Sequence, residues 1–251
     1  MNMKDKTVLI TGAGRGIGLG IATAFAKEGA NIAITDIVEA NLKDASAKLE
    51  KLGVKVLPLV VDGADENAVS QGIDKVVETF GGLDVLINNA QASKSGVMLV
   101  DHSKADFDLA INTGLYATFF FMRAAFPHLK ATKGSVINFA SGAGINGRLG
   151  QSSYAASKEG IRGLTRVAAN EWGEFGIRAN VVCPLVKTEA LAQWEKDYPE
   201  IYEKTIQGIP LRRFGDAEKD IGRVCVFLAS DDASYISGET ISLQGASGMR
   251  P

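Results

Sequence analysis

Short apolar runs recur along the whole chain, each leading through a turn into a segment of helical character, and this alternation leaves few folds open. The runs are "KTVLIT" (6–11), "ANIAITD" (30–36), "VKVLPLVVD" (54–62), "LDVLINNA" (83–90), "GSVINFAS" (134–141), "IRANVVCP" (177–184) and "ETISLQG" (239–245). Most are continuous rather than alternating, as expected of strands buried on both faces of a parallel sheet. Between them lie helical patterns such as 17–28 and the charged amphipathic stretch 41–53, which Gly53 closes. Strand–helix alternation over the full length predicts an α/β fold, a doubly wound parallel sheet with right-handed crossovers and helices on both faces. No internal repeat, low-complexity tract or linker interrupts it, so residues 1–251 read as one domain.

A chain of 251 residues with 46% hydrophobic side chains can bury a full core. A formal net charge of -2 carries no basic excess, which argues against a nucleic-acid partner. Cys183 and Cys225 stand far apart without metal-ligand spacing, and His102 and His128, the two histidines, join no cluster. No metal is expected, and the cysteines read as buried free thiols in a reducing compartment. "MNMKDKTVLI" has no apolar signal core. No stretch reaches the roughly 18 apolar residues of a membrane span. "YATFFFM" is the greasiest piece and reads as a helix covering the sheet. The expectation is a soluble cytoplasmic protein without a membrane partner.

"TGAGRGIG" (11–18) follows the first strand and opens the first helix. Alone, such a loop fits any tight strand–helix turn. In this context Gly12, Gly16 and Gly18 let the backbone approach a pyrophosphate at the helix N-terminus, with Arg15 and Ile17 in the same loop. Asp36, at the end of the second strand, stands where an acid accepts bonds from ribose hydroxyls. A carboxylate there repels a 2′-phosphate and favours NAD over NADP; Arg15 pulls the other way, and Asp36 ranks higher because it faces the 2′ position.

"GQSSYAASKEG" (150–160) sets Tyr154 and Lys158 one helical turn apart on one face. A Tyr–Lys pair at this spacing is common on solvated helix faces, so the rest of the chain must decide its meaning. Taken with "TGAGRGIG", Asp36, Asp62, "NNA" (88–90), Asn112, Ser141 at 13 residues before Tyr154, and "CPLVKT" (183–188), the chain resembles the short-chain dehydrogenases/reductases from end to end.

The resemblance implies a Rossmann-type sheet of about seven strands, with a cofactor half over about 1–135 and a catalytic and substrate half over about 136–251. It implies Asn112, Ser141, Tyr154 and Lys158 as catalytic residues. It places Asp62 at the adenine, Asn88 and Ala90 at the ribose side, and Val186 and Thr188 at the nicotinamide carboxamide, with Tyr154 and Lys158 also on the cofactor. Gln91, Ser141, Tyr154 and Trp194 are expected to meet substrate. Residues 188–210 correspond to a substrate lid, and homotetramers or homodimers built on the Asn112 and Tyr154 helices are the usual assemblies. Three departures stand out: Gln91 replaces the usual glycine after "NNA", "PLVKT" lacks the loop glycine, and "LQGAS" replaces an acidic, glycine-paired ending.

The chemistry agrees with the pattern. Hydride exchange between a carbinol carbon and a nicotinamide needs a proton moved at the oxygen. A free phenol, with a pKa of about 10, holds its proton too tightly. A neighbouring ammonium and a positive nicotinamide ring are expected to lower that value. Asn112 lies in an otherwise apolar helix, where a buried amide needs a partner, or it is exposed at a bend near Gly114; by resemblance it holds a water leading from the lysine to solvent. The leading reading is an NAD(H)-dependent secondary alcohol dehydrogenase/ketone reductase, set against a non-catalytic nucleotide sensor and a lyase or epimerase on the same fold. Trp194, Tyr198 and Tyr202 in the lid segment either dock it on its own core or offer broad apolar contact to a flat substrate. The reading leans to a hydroxysteroid or bile-acid-like alcohol, with a 3-oxoacyl thioester, sugar or polyol as alternatives.

Overall fold

A computed structural model describes residues 2–248 of the chain. Residues 1 and 249–251 of the single unit expected over 1–251 lie outside the described residues. Seven strands form one parallel sheet in the order β3-β2-β1-β4-β5-β6-β7. They are β1 (Thr7–Thr11), β2 (Asn31–Asp36), β3 (Val56–Val60), β4 (Val85–Asn88), β5 (Ser135–Phe139), β6 (Arg178–Pro184) and β7 (Thr240–Leu243). Every apolar run of the sequence contains a strand, shorter than its run by one to four residues because the runs extend into the flanking turns. β1, β4 and β5 are buried at every position, which is why their sequences show no alternation.

One face carries α1 (Gly16–Lys27) and α2 (Glu39–Glu50), joined at the far end by α10 (Arg223–Ala229). Their apolar side chains and the sheet share a core containing Phe25, Ile32, Ile34 and Leu49. The other face carries α3 (Glu66–Phe80), the long helix α4 (Lys104–Ala110) to α5 (Ala117–Thr132), and α7 (Ser152–Trp172) over Leu9, Leu86, Val136 and Ala179. α3 shows how local sequence sets such a helix: the Asp65 side chain accepts from the amides of Asn67 and Ala68, and Gly81 ends it in the left-handed region at φ 85°. α6 (Gly142–Asn146), α8 (Glu189–Asp197) and α9 (Pro199–Gln207) are short and lie beyond the carboxyl ends of the strands.

The strand order reverses direction between β1 and β4. In such sheets the crevice beyond the carboxyl ends at this switch point is the ligand site. α4 and α5 are joined by a π-helical turn, Ile111–Tyr116. Such turns are rare and frequent at functional sites. Among the described residues no helix is long and apolar enough to cross a membrane.

Candidate active site

A cleft of about 740 Å³ opens at the switch point. Its walls include Gly12, Arg15, Gly16 and Ile17 from the glycine-rich loop, Asp36 from β2, Asp62 after β3, Asn88 to Gln91 after β4, and Thr188. The loop is shaped by close approach. Gly12 has φ 63°, and a Cβ there would lie 2.9 Å from the Ala90 Cα. A Cβ on Gly18 would run into the carbonyl oxygen of Gly12. Both contacts are with backbone, so neither can be relieved by a rotamer change. The twelve-residue helix α1 therefore begins against the cleft with its first amides towards it.

Asn89 links this loop to β4. Its side chain donates to the carbonyls of Thr11 (3.0 Å) and Gly12 (3.2 Å), while the Thr11 hydroxyl accepts from the amides of Asn89 and Ala90. Asp36 accepts from the amides of Gly14 (3.2 Å) and Val38 (3.1 Å), so its carboxylate is fixed on the cleft wall. Asp62 is exposed and accepts from the amide of Ala64. Val186 is buried in the main core instead of the cleft, and Thr188 caps α8 by accepting from the amide of Leu191. The loop without its glycine is still closed by backbone bonds, Leu185 N–H to Leu243 O and Lys187 N–H to Gly215 O.

Ser141, Tyr154 and Lys158 come together at the ends of β5 and α7. Ser141 caps α6, its hydroxyl accepting from the amide of Ala143 at 3.1 Å, and it hydrogen-bonds the Tyr154 phenol. The Lys158 ammonium is buried, donates to the carbonyl of Phe139 at 2.7 Å and lies 5.5 Å from the centre of the Tyr154 ring. Burial raises the Tyr154 phenol above its ordinary value, opposed by the bond to Ser141. The expected lowering counted the nicotinamide charge as well as the ammonium; in the protein alone the phenol is raised. Burial disfavours the phenolate, while the Lys158 ammonium donates to the Phe139 carbonyl.

Burial also pushes Lys158 down to about 7. A group whose folded pKa is depressed below a model value of 10.5 binds more protons in the unfolded chain, so stability should rise between about pH 7 and 10. In denaturant unfolding of the cofactor-free protein, Lys158→Met should flatten that rise by up to about 1.4 kcal/mol per pH unit. Identical slopes in the two proteins would show that the ammonium is solvated.

Of the other expected site residues, Asn88 and Gln91 line the cleft, while Asn112 and Trp194 do not. Asn112 is exposed on the π-helical turn rather than buried. The inward position of that turn is Gly114, where a Cβ would run into the Ser157 hydroxyl and the Gln91 amide. Residues two apart on a helical turn point to nearly opposite sides, so Asn112 meets water and needs no protein partner. Asn88 borders the cleft, but its amide nitrogen donates to Asn138 Oδ1 inside the sheet at 2.8 Å. Gln91 fills the space between the cleft and α7 that a glycine would leave open, its amide nitrogen reaching the Ala110 carbonyl at 3.5 Å. Trp194 is not a cleft wall; it packs edge-on against buried Tyr202 at 5.8 Å, in a small core with Phe214, Ile206 and Ile209. The lid segment thus carries its own core, and of its three large aromatics Tyr198 is the exposed one.

Sequence reasoning did not single out Asn89, Thr11, Asn138 or Gln244. The first two lie within the quoted motifs "NNA" and "TGAGRGIG" but were given no role. Gln244, part of the unusual "LQGAS" ending, donates to the Cys183 carbonyl at 3.3 Å and packs under Gly142, beside Ser141.

A crevice at the switch point of a doubly wound parallel sheet, together with a Ser–Tyr–Lys cluster at the end of β5 and the start of α7, is an arrangement suited to a nucleotide-dependent oxidoreductase. A family model described as enoyl-(acyl carrier protein) reductase matches residues 12–246. A 12α-hydroxysteroid dehydrogenase from a Clostridium species is 56% identical over 98% of both chains. The 3-oxoacyl-acyl-carrier-protein reductase FabG of Thermotoga maritima is 37% identical over 98% of both. Among solved structures, a 7α-hydroxysteroid dehydrogenase complexed with NADH and 7-oxoglycochenodeoxycholic acid superposes with TM-score 0.91 at 30% identity, covering 100% of this chain and 96% of that one. NAD+-bound xylitol dehydrogenase also gives 0.91 at 30% identity, covering 98% of this chain and 100% of that one. The chain belongs to the short-chain dehydrogenase/reductase family. It is an enzyme of the alcohol dehydrogenase/ketone reductase type.

Proposed function

We propose that the protein interconverts a hydroxysteroid or bile-acid-like secondary alcohol and its ketone with NAD(H), and that the Ser141–Tyr154–Lys158 cluster performs the proton chemistry. The observation that carries the substrate is the 56% identity to a 12α-hydroxysteroid dehydrogenase over nearly the whole of both chains. The cleft fits a dinucleotide on its own features: Gly12 and Gly18 pack against backbone so closely that neither admits a Cβ, which draws the loop in at the start of α1, and the buried Asn88 Oδ1 has no protein partner. Gly12, Arg15, Gly16, Ile17 and Gly18 would hold the pyrophosphate, Asp36 the adenosine ribose, Asp62 the adenine, and Asn88 and Ala90 the second ribose. Thr188, Tyr154 and Lys158 would face the nicotinamide end.

When bound, the dinucleotide supplies the hydride acceptor or donor and, in its oxidised form, positive charge near the phenol. Ser141 orients the substrate oxygen through its hydroxyl, which its capping bond to Ala143 already directs. Tyr154 takes the carbinol proton in oxidation and returns it in reduction. It acts as the phenolate in oxidation and as the phenol in reduction, and Lys158, held by Phe139, stabilises the phenolate form. Burial of the cluster strengthens each of these electrostatic contacts.

An NADH-absorbance screen over hydroxysteroids and bile acids, 3-oxoacyl thioesters, sugars and polyols tests the reading. A steroid 12α-hydroxyl should give the highest kcat/KM. Inert steroids alongside a turned-over sugar or thioester would overturn the substrate and leave the dehydrogenase standing. The proposal extends to a homotetramer or homodimer formed through α4–α5 and α7, where Tyr116, Phe119 and Val167 are exposed; a monomer in light scattering would refute it. We also place it in the cytoplasm, in keeping with two free buried cysteines, and cell fractionation tests that.

A further inference from the structure

Helix α7 carries Tyr154 and Lys158, and what fixes its position along the sheet decides where the phenol stands. Five of its seven buried residues, Ser153, Ser157, Lys158, Arg162 and Thr165, are polar, and Arg162 Nε reaches the Thr240 hydroxyl on β7 at 3.5 Å. Two polar ties cross to adjacent residues of β5. One is the Lys158 ammonium on the Phe139 carbonyl. The other is Asn138 Nδ2, which donates to the Thr165 hydroxyl at 2.8 Å. Thr165 lies seven residues beyond Lys158, two turns along the same face. Its own proton goes to the Ile161 carbonyl at 2.7 Å, so the oxygen presents a lone pair to Asn138. Asn138 Oδ1 in turn accepts from Asn88 on β4 at 2.8 Å, and Asn138 Nδ2 also touches Met122 Sδ at 3.3 Å.

Asn138 and Thr165 have no solvent exposure, and Asn88 is 4% exposed. Apolar side chains at these positions would form a simpler core. Polar ones cost desolvation and give back directional bonds that hold at one register only. Asn88 is also a wall of the cleft, with Oδ1 unpartnered, so the chain of bonds runs from the cleft, through the sheet, to the helix bearing the phenol.

We propose that Asn88, Asn138 and Thr165 are positioning residues: their bonds fix α7 on β5 at the register that brings Tyr154 to Ser141 and keeps the Lys158 ammonium on Phe139. The assignment rests on the proposed function for its kinetic consequence, but not for its structural one. A displacement of about 1 Å at a reacting group can lower a rate by about 10²-fold.

The test is Thr165→Val, which keeps the shape and removes the hydroxyl, with Thr165→Ser as the conservative variant. Lys158 is followed by NMR titration of 13Cε-labelled lysine, its signal assigned with Lys158→Met, and kcat and KM are measured on the same preparations. Thr165→Val should move the Lys158 titration upward by one pH unit or more as the ammonium gains water. It should lower kcat at least tenfold with KM for NADH within twofold, and Thr165→Ser should restore both. An unmoved Lys158 titration in Thr165→Val overturns the proposal, even if the melting temperature falls, since that would be packing alone. A moved titration in a protein that turns over no alcohol upholds the positioning role and removes the functional reading instead.

Discussion

Tyr154→Phe is expected to lower kcat for oxidation and reduction alike by more than about 10²-fold while NADH affinity stays within twofold, since positioned acid–base groups contribute about 10²–10⁴. The substitution deletes one oxygen and keeps the ring, and that oxygen is the Ser141 partner and, in the proposed mechanism, the proton carrier. The raised phenol makes the prediction sharper. A buried tyrosine without cationic help is a poor base near neutrality, so oxidation must depend on the charge gathered around it. Wild-type oxidation should therefore rise with pH as the phenolate becomes accessible, and reduction should fall, because it consumes the proton. Stopped-flow and steady-state kinetics with the steroid substrate check both. A Phe variant that retains more than a tenth of the wild-type rate would remove Tyr154 from the mechanism.

The second large effect concerns cofactor choice. Asp36 is held rigidly by the Gly14 and Val38 amides, and its neighbour Ile37 is 68% exposed at the cleft mouth. A 2′-phosphate brought against this carboxylate makes a like-charge contact costing several kcal/mol, so wild-type kcat/KM should favour NAD by more than about 100-fold. Asp36→Ala removes the repulsion and should collapse that preference to within about tenfold. It should also weaken NAD, because the Gly14 amide loses its acceptor. Adding Ile37→Arg supplies a planar cation suited to phosphate and should turn the preference towards NADP. The measurement is the ratio of kcat/KM for the two cofactors in the three proteins. A wild-type ratio favouring NADP would make Arg15, at the start of α1 on the same cleft, the deciding side chain.

The strands were legible because a parallel sheet covered on both faces leaves each strand no solvent side, and so each appears as an unbroken apolar run. The cradle was legible because its glycines answer to backbone contacts at Gly12 and Gly18 that no other residue tolerates. Tyr154, Lys158 and Ser141 were legible through the family resemblance, which the one-turn spacing of the pair and the 13-residue interval from Ser141 to Tyr154 help to carry. These relations are local, or follow from one strand–helix unit, and the sequence determined them without help.

Other relations depend on where distant segments meet. Asn112 looked like a buried amide in an apolar helix, yet the π-helical turn sends Gly114 inward and leaves Asn112 in water. Trp194 looked free to meet substrate, yet it packs with Tyr202, because the lid has an apolar core of its own to close. Asn138 and Thr165 stood unremarked in two separate apolar stretches, 27 residues apart, and only their packing makes them partners. The phenol's pKa followed the same rule: sequence placed an ammonium near it, but the dielectric around both groups is a property of the folded surroundings. Periodicity and backbone sterics are written along the chain; burial, register and the choice of hydrogen-bond partner belong to the contacts between elements, and these the tertiary structure decided.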